Sequence, residues 1–566
     1  MIRRLKSGIS QLLKDSIFRS WMIGRALRRY PAPAPFTKHQ PPYAISALPL
    51  KHELVFWKHP ASRNTTVLPK IPLKVKLPGQ EITLDPENPE NLFKLHFIDI
   101  ELHLARHRFS WLPLTKFIPN GWLPVLWSSW KTNFMSKKGW HWHPYTAAER
   151  SVNIIDGTRR FGYPESLETF KYSLAEHAIL ISRTLEYFGN HNTSNHLSNN
   201  GRALYRLGCF LNLNDARELG FKILVNEAKR IFLSNGSLRE GSTHYHMILL
   251  KNYLDVWLAA RRDEQFSEAD VFREISTKAI GAAKKFCLPG GMPLIGDISP
   301  DSPPSHLAGI TSGHCCWTET FPAEEQTLIH KLVGQSKAPL SKPFIKDGWI
   351  SFQEGVWSAL APVPLNGWPF MPGHAHQDLG SAEIHFMQTP LFIDPGRGAY
   401  GDSGEAALYR SASVHGTLQI NGADPYPQNK PYYTDLFREK WAEPPIATIT
   451  SKGFNISHGG FKRLGVDKIE RNWRFGEKTL KIYDSVMGVG QYYIDRSLVT
   501  PLPAKLYNNK VIINKQFKVY ADDSIPQISP ITIWHSYGEG RPGFHIIFSG
   551  TEKLPWAGSI NVEFIG

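Results

Sequence analysis

The run WISFQEGVWSAL, residues 349–360, decides how this chain is read, because the spacing of its apolar residues changes there. It is short, rich in aromatic and β-branched residues and broken by glycine. The stretches SAEIHFM (381–387), LFIDPG (391–396), GTLQING (416–422), KTLKIYDSVMG (478–488), KVIINKQFKVYA (510–521) and GFHIIFSG (543–550) share that character. Runs of this kind, punctuated by Gly, Pro and Asn, predict strands. Upstream the spacing is different. SLETFKYSLAEHAILISRTLEYF (166–188), HLSNNGRALYRLGCFL (196–211), ARELGFKILVNEAKRIF (216–232), YHMILLKNYLDVWLAARR (245–262) and DVFREISTKAIGAAKKF (270–286) place apolar residues at three- and four-residue steps. That spacing predicts consecutive helical hairpins. Helices followed by strands predict an α domain joined to a β-sandwich-like domain. The boundary is expected between Lys337 and Lys346.

At 566 residues the chain exceeds one ordinary core. Residues 31–90 contain YPAPAPF, HQPPY and LPKIPLKVKLPG, so an extended arm or short strands are expected there. The balance of 65 Lys and Arg against 50 Asp and Glu gives a formal charge of +15, which draws polyanions. No zinc-finger, P-loop or RNP pattern accompanies it, so no specific nucleic-acid partner is expected. The 17 Trp, 20 Tyr and 31 Phe offer faces for sugar rings as well as core. Four cysteines without CxxC spacing read as reduced core thiols. Gly538-Glu-Gly540-Arg-Pro-Gly543 fits GxGxxG, but it contains Pro542 and no helix follows, so a hairpin loop is expected.

Residues 1–30 carry Ile2, Leu5, Ile9, Leu12, Leu13, Ile17 and Trp21 at helical spacing, while Lys6, Lys14, Arg19 and Arg25 break any continuous apolar core of a signal peptide. They predict a basic amphipathic helix, docked on its own protein or lying on an anionic membrane surface. The expected location is cytoplasmic or at the inner membrane surface, with the periplasm as the alternative.

In GHAHQDLGSAEIHF (373–386) two histidines stand one residue apart before a strand-like run. Strand alternation would put His374 and His376 on one face, with Asp394 and His415 brought near by neighbouring strands. Two histidines and a carboxylate form an ordinary zinc-type set. Each residue also has a plainer reading. Asn195 suits a helix N-cap, Tyr245 a core position, and Asp394 before Pro395 a turn opener.

GHAHQDLGSAEIHF, FIDPGRGAYGD (392–402) and YRSASVHGTLQING (409–422), together with WHPYTAAERSVNIID (142–156), SNHLSNNGRAL (194–204) and EGSTHYH (240–246), resemble the heparinase II/III-like polysaccharide lyases, which include oligoalginate lyases. The resemblance covers roughly residues 140–425. It implies an α+β multidomain fold, an incomplete (α/α) toroid over about 91–340 followed by an antiparallel β-sandwich over 341–566, with the cleft between them. It implies catalytic roles for Asn195, His196, Tyr245 and His374. His376, Asp394 and His415 would hold a structural divalent metal, with zinc favoured by the ligand types. Asn199, Glu240, His246, Tyr400 and Arg410 would bind substrate. Some members have glutamate where this chain has Asn199.

The activity implied is cleavage of an acidic, uronate-containing glycan by β-elimination, linked to surface-polysaccharide metabolism. The alternative is a glycan-binding or assembly protein that keeps the fold without turnover. A lyase must neutralise the uronate carboxylate, a task for Asn195 and His374. It must also place a base at C5–H and an acid at O4. Tyr245 suits either role, or both in a syn elimination. With a free pKa of about 10 it needs a basic neighbourhood to act as phenolate, to which His196 or His246 could contribute. His196 is also a candidate base for the other C5 epimer. A hydrolase would need two facing carboxylates, and Glu240, Asp378 and Asp394 show no such pairing.

Overall fold

The computed structural model describes residues 9, 12–13, 16–29, 37–44, 67–190, 192–336, 348–364, 373–426 and 440–566. The domain boundary expected between Lys337 and Lys346 lies outside the described residues.

The helical half begins with a β-hairpin. Strands β1 (Leu73–Leu77) and β2 (Gln80–Leu84) pair antiparallel, and alternation turns Leu73, Val75 and Leu77 inward against Leu92, Trp111 and Trp122. The proline-rich stretch is therefore joined to the helical core over its last part. Helices α2 (Ile100–Arg108), α3 (Trp122–Phe134), α4 (Pro144–Phe161), α5 (Leu167–Arg183), α6 (His196–Leu211), α7 (Asn214–Ile231), α8 (Thr243–Arg262), α9 (Phe266–Phe286) and α10 (Ala323–Gln335) follow, and α5 to α9 are the five helices whose stretches the spacing predicts. An earlier helix, α1, spans Ser16–Ala26.

Helix α6 is buried on nearly every side, packed among α4, α5, α7 and α8. Its approach to α7 is close because a Cβ on Gly220 would lie 2.4 Å from the Tyr205 nitrogen. Buried ion pairs tie the bundle together. Arg202 donates to Glu149 at 3.0 Å and to Asp255 at 2.9 Å, tying α6 to α4 and α8.

The second half is a sandwich of two antiparallel sheets. The smaller runs β3 (Trp349–Glu354), β4 (Trp357–Pro362), β5 (Glu383–Phe386), β6 (Thr389–Phe392). The larger has the order β12-β13-β14-β16-β11-β10-β9-β8, with β7 (Leu418–Ile420) on β11 and β15 (Pro526–Ser536) on β16. Here β8 is Ile446–Thr450, β9 Gly453–His458, β10 Val466–Phe475, β12 Ala504–Tyr507, β13 Lys510–Ile513 and β14 Phe517–Ala521. Phe352, Trp357, Ile384 and Phe386 of the small sheet meet Phe454, Trp473, Ile482 and Phe548 of the large one in a single core. Two strands are far longer than the sequence spacing predicts: β11 (Thr479–Thr500) and β16 (Glu539–Phe564) pair along almost their whole length. Gly488 and Gly490 fall at an irregularity in that ladder, where the register shifts without ending the strand. The GxGxxG stretch is the β15–β16 turn and the first residues of β16, as expected.

Helix α1 is docked on its own protein. Phe18 and Trp21 are buried with Leu379, Tyr426 and Ala442, and Ala375 packs against the same cluster. The cysteines are free, but only Cys315 is buried. Cys209 is half-buried against the helical core, while Cys287 and Cys316 are exposed, so the expectation of core thiols fails for those two.

Candidate active site at the seam of the two domains

Three loops lie side by side where the helical half meets the sandwich. Thr243 N donates to Ile295 O at 3.1 Å, Asp297 N to His374 O at 2.9 Å, and His374 N to Glu240 O at 3.0 Å. Gly296 sits in the middle with φ +81, and a Cβ there would lie 2.6 Å from Gly241 O and 2.7 Å from His374 O. Only glycine lets these backbones approach so closely. His374 and His376 are on the loop before β5, not on a strand face, so the expected alternation is not what brings them to the site.

Asn195 precedes α6 but makes no side-chain cap. Its amide donates instead to Glu240 Oε2 at 2.8 Å and to His374 Nε2 at 3.1 Å. The Nδ1–H of His374 donates to Asp297 Oδ2 at 3.2 Å, which leaves the Nε2 lone pair for the Asn195 amide. The Tyr245 ring lies flat on this imidazole, centroids 3.3 Å apart and planes 8° from parallel. Ser242 caps α8 by accepting from Tyr245 N at 3.1 Å, so the first helical turn sets the ring.

The Tyr245 hydroxyl is 2.7 Å from that of Tyr400, which donates to Ile298 O at 3.0 Å. A phenol has one proton, so Tyr400 accepts and Tyr245 donates. Burial, together with Asp301, Asp297 and Glu101, holds the Tyr245 hydroxyl well above its ordinary pKa. The surroundings are acidic rather than basic, so the neighbourhood expected to favour phenolate is absent, and at rest Tyr245 is a neutral proton donor.

His196 lies on the helical wall with its side chain 42% exposed. Its Nδ1–H donates to Glu186 Oε1 at 2.9 Å, leaving the Nε2 lone pair free to accept a proton. Burial pulls the His196 pKa down, but Glu186 outweighs it and the net shift is upward. The Tyr145 ring lies against the His196 ring, tilted by 42° with centroids 4.4 Å apart, and its hydroxyl donates to Asp301 at 2.7 Å.

Of the other expected substrate-binding residues, Glu240 and Tyr400 stand in this network. Arg410 is half-buried within electrostatic reach of Asp297 and Arg397. Asn199 is buried one turn below Asn195, where its oxygen accepts from Arg202 at 3.5 Å and its amide nitrogen is unpartnered. His246 is misplaced by the sequence reading. It accepts from Leu238 N at 3.2 Å and donates to Ala279 O at 2.9 Å in the helical core, where burial pushes it down to about 4. One residue beyond Tyr245 is a rotation of roughly 100° around a helix, away from the seam.

Residues 135–328 match the family described as heparinase II/III N-terminus, and residues 337–494 match heparinase II/III-like, C-terminal. The chain belongs to the heparinase II/III-like family. A heparin-sulfate lyase from Pedobacter heparinus is 27% identical over 275 residues, 46% of this chain and 40% of that protein, so the match spans under half of the relative's length. The crystal structure of a heparan sulfate lyase from Pedobacter heparinus has a TM-score of 0.53 at 16% identity, covering 83% of this chain and 78% of that one. That of a heparinase III has a TM-score of 0.58 at 17% identity, covering 78% and 73%. These likenesses establish the fold, a helical toroid followed by an antiparallel sandwich.

The family's expected metal set converges. His376, Asp394 and His415 are buried, with ligand atoms all within 4.8 Å of one another. The donor chemistry fits a divalent ion. His376 gives Nε2–H to Asp297 at 2.9 Å, leaving its buried Nδ1 without a partner. His415 gives Nε2–H to Tyr409 O at 3.2 Å, with Nδ1 3.0 Å from Asp394 Oδ2. Metal-binding histidines ordinarily anchor their second nitrogen in this way. The plainer reading of Asp394 also holds, since its Oδ1 accepts from Gly396 N at 2.8 Å and opens the turn.

Among the residues of this heparinase-like site that escaped the sequence reading are three acids, Glu186, Asp297 and Asp301. Each is a single carboxylate in a loop between helices, and nothing local sets it apart from the chain's other acids.

Proposed function

We propose that this protein is a polysaccharide lyase that cleaves an acidic, uronate-containing glycan by β-elimination. The observation that carries the reading is the contact between Asn195 of the helical half and His374 of the sandwich half, with Tyr245 stacked on the same imidazole. The family's lyases support it.

The Asn195 amide and His374 are the groups that hold the substrate carboxylate, with Arg410 as a further cation. Asp297 stands behind His374 and Glu240 beside it. His196 Nε2 removes the C5 proton. Those electrons form the C4=C5 double bond, the C4–O4 bond breaks, and Tyr245 protonates the departing oxygen. A divalent ion held by His376, Asp394 and His415 would be structural, anchoring the loop that carries His374. Zinc suits two nitrogens and an oxygen.

The test is a panel of uronate-containing glycans, assayed for new near-ultraviolet absorbance with wild type beside Tyr245→Phe. Unsaturated ends from wild type alone support the reading. Binding without unsaturated ends from any glycan would instead identify a non-catalytic glycan-binding protein.

A place beside surface-polysaccharide assembly on an anionic membrane is part of this proposal. Opposite the docked face of α1, Ile23 and Leu27 are exposed, followed by Arg28 and Arg29. Loss of binding to phosphatidylglycerol vesicles on Ile23→Asp/Leu27→Asp checks it, and wild type that ignores such vesicles refutes it.

A further inference from the structure

We infer that Trp140 is a sugar-stacking platform that extends the cleft beyond His196 and binds a pyranose ring of the acidic glycan. The inference rests on the lyase reading above and adds to it a subsite on the helical wall.

Trp140 is the only exposed tryptophan among the described residues, at 60%. Exposing a large apolar ring in water is unfavourable, and its neighbours show that the exposure is built rather than accidental. Trp140–Trp142 form one turn of 3-10 helix leading into α4. His141 donates from Nε2 to Lys137 O at 2.9 Å, and Trp142 donates from Nε1 to Phe134 O at 3.0 Å. Arg150, buried in α4, donates to His141 O at 2.8 Å. The two residues that follow the exposed indole are thereby pinned.

The inner side of the ring is also supported. Trp140 stacks on His143 at 5.5 Å and 23°. His143 Nε2 lies 3.5 Å from Glu186 Oε1, the same oxygen that holds His196. The rings of His143 and His196 are 6.3 Å apart. Trp140 therefore stands one imidazole further along the wall from the candidate base, with one face free. A rigid aromatic face beside polar groups suits a pyranose ring, whose axial C–H bonds stack on the indole while its hydroxyls stay wet.

The test uses hexasaccharides of heparan sulfate, hyaluronan and alginate, titrated calorimetrically against Tyr245→Phe protein so that binding is measured without turnover. Trp140→Phe and Trp140→Leu are made in that background. Both replacements are apolar, but only Phe keeps a flat face. The expected result is about tenfold weaker binding for Trp140→Leu, with most of the affinity kept by Trp140→Phe. In the active enzyme the same changes raise KM and move kcat far less. If the Tyr245→Phe parent binds and both substitutions leave its affinity unchanged, or weaken it equally, the platform is overturned while the lyase reading stands. If no hexasaccharide binds the parent and wild type yields no unsaturated ends, both fall together.

Discussion

The carboxylate of Asp297 accepts from the His376 imidazole at 2.9 Å, and this bond joins the metal-type cluster to the reaction centre. Its second oxygen holds His374, while Arg397 donates at 3.0 Å to the first oxygen, the one that also accepts from His376. A single buried acid thus sets the orientation of both histidines of the His-x-His pair.

Replacing Asp297 by alanine leaves Arg397 buried without its carboxylate and frees both imidazoles. Unfolding in urea is expected to show a loss on the order of 3 kcal/mol, as for other broken buried ion pairs. Asp297→Asn keeps the size but cannot accept from both histidines and the guanidinium at once. Its kcat/KM is expected to fall on the order of 100-fold through misplacement of His374. A rate within twofold of wild type would remove Asp297 from the site.

Tyr245→Phe removes the proton donor and keeps the ring on His374. The rate of unsaturated product formation is expected to drop about 10²–10⁴-fold. Oligosaccharide affinity should change little, because the stacked face remains.

Glu186→Gln shifts the pH profile in a direction fixed by sign. The net shift of the folded His196 pKa is upward because Glu186 outweighs burial. The pair therefore stabilises the fold below the unfolded histidine value of about 6.5 and ceases to do so as pH rises through the folded pKa. Catalysis needs His196 neutral, so the acidic limb of kcat/KM should move to lower pH in Glu186→Gln. Following the His196 ring proton by NMR over the same range checks the cause.

Metal analysis of protein purified without chelator is expected to find a bound divalent ion, and His415→Ala to lose it. Chelation should lower Tm, with recovery on adding zinc. Protein that contains no ion, and a His376→Ala variant as stable as wild type, would refute the metal site.

The helices were legible because an amphipathic helix repeats its apolar face every three or four residues and needs no knowledge of its partner. Helix α6 matches its expected span, although buried nearly all round. Strand extent was less legible. The antiparallel pair of β11 and β16 runs through glycines, prolines and charged residues, since pairing with a neighbouring strand overrides local preference. His246 shows the limit at the site: a motif names adjacent residues, while a helix sends them to different faces.

The order of helices and strands, and the motif residues Asn195, Tyr245, His374, His376, Asp394 and His415, were present in the one-dimensional text, because periodicity and short patterns are local properties. Which carboxylates stand behind those residues, which way the Tyr245 proton points and which tryptophan faces water were decided only by folding. Each depends on groups brought together from distant parts of the chain, as when Asp297 meets His374 and Glu186 meets His196.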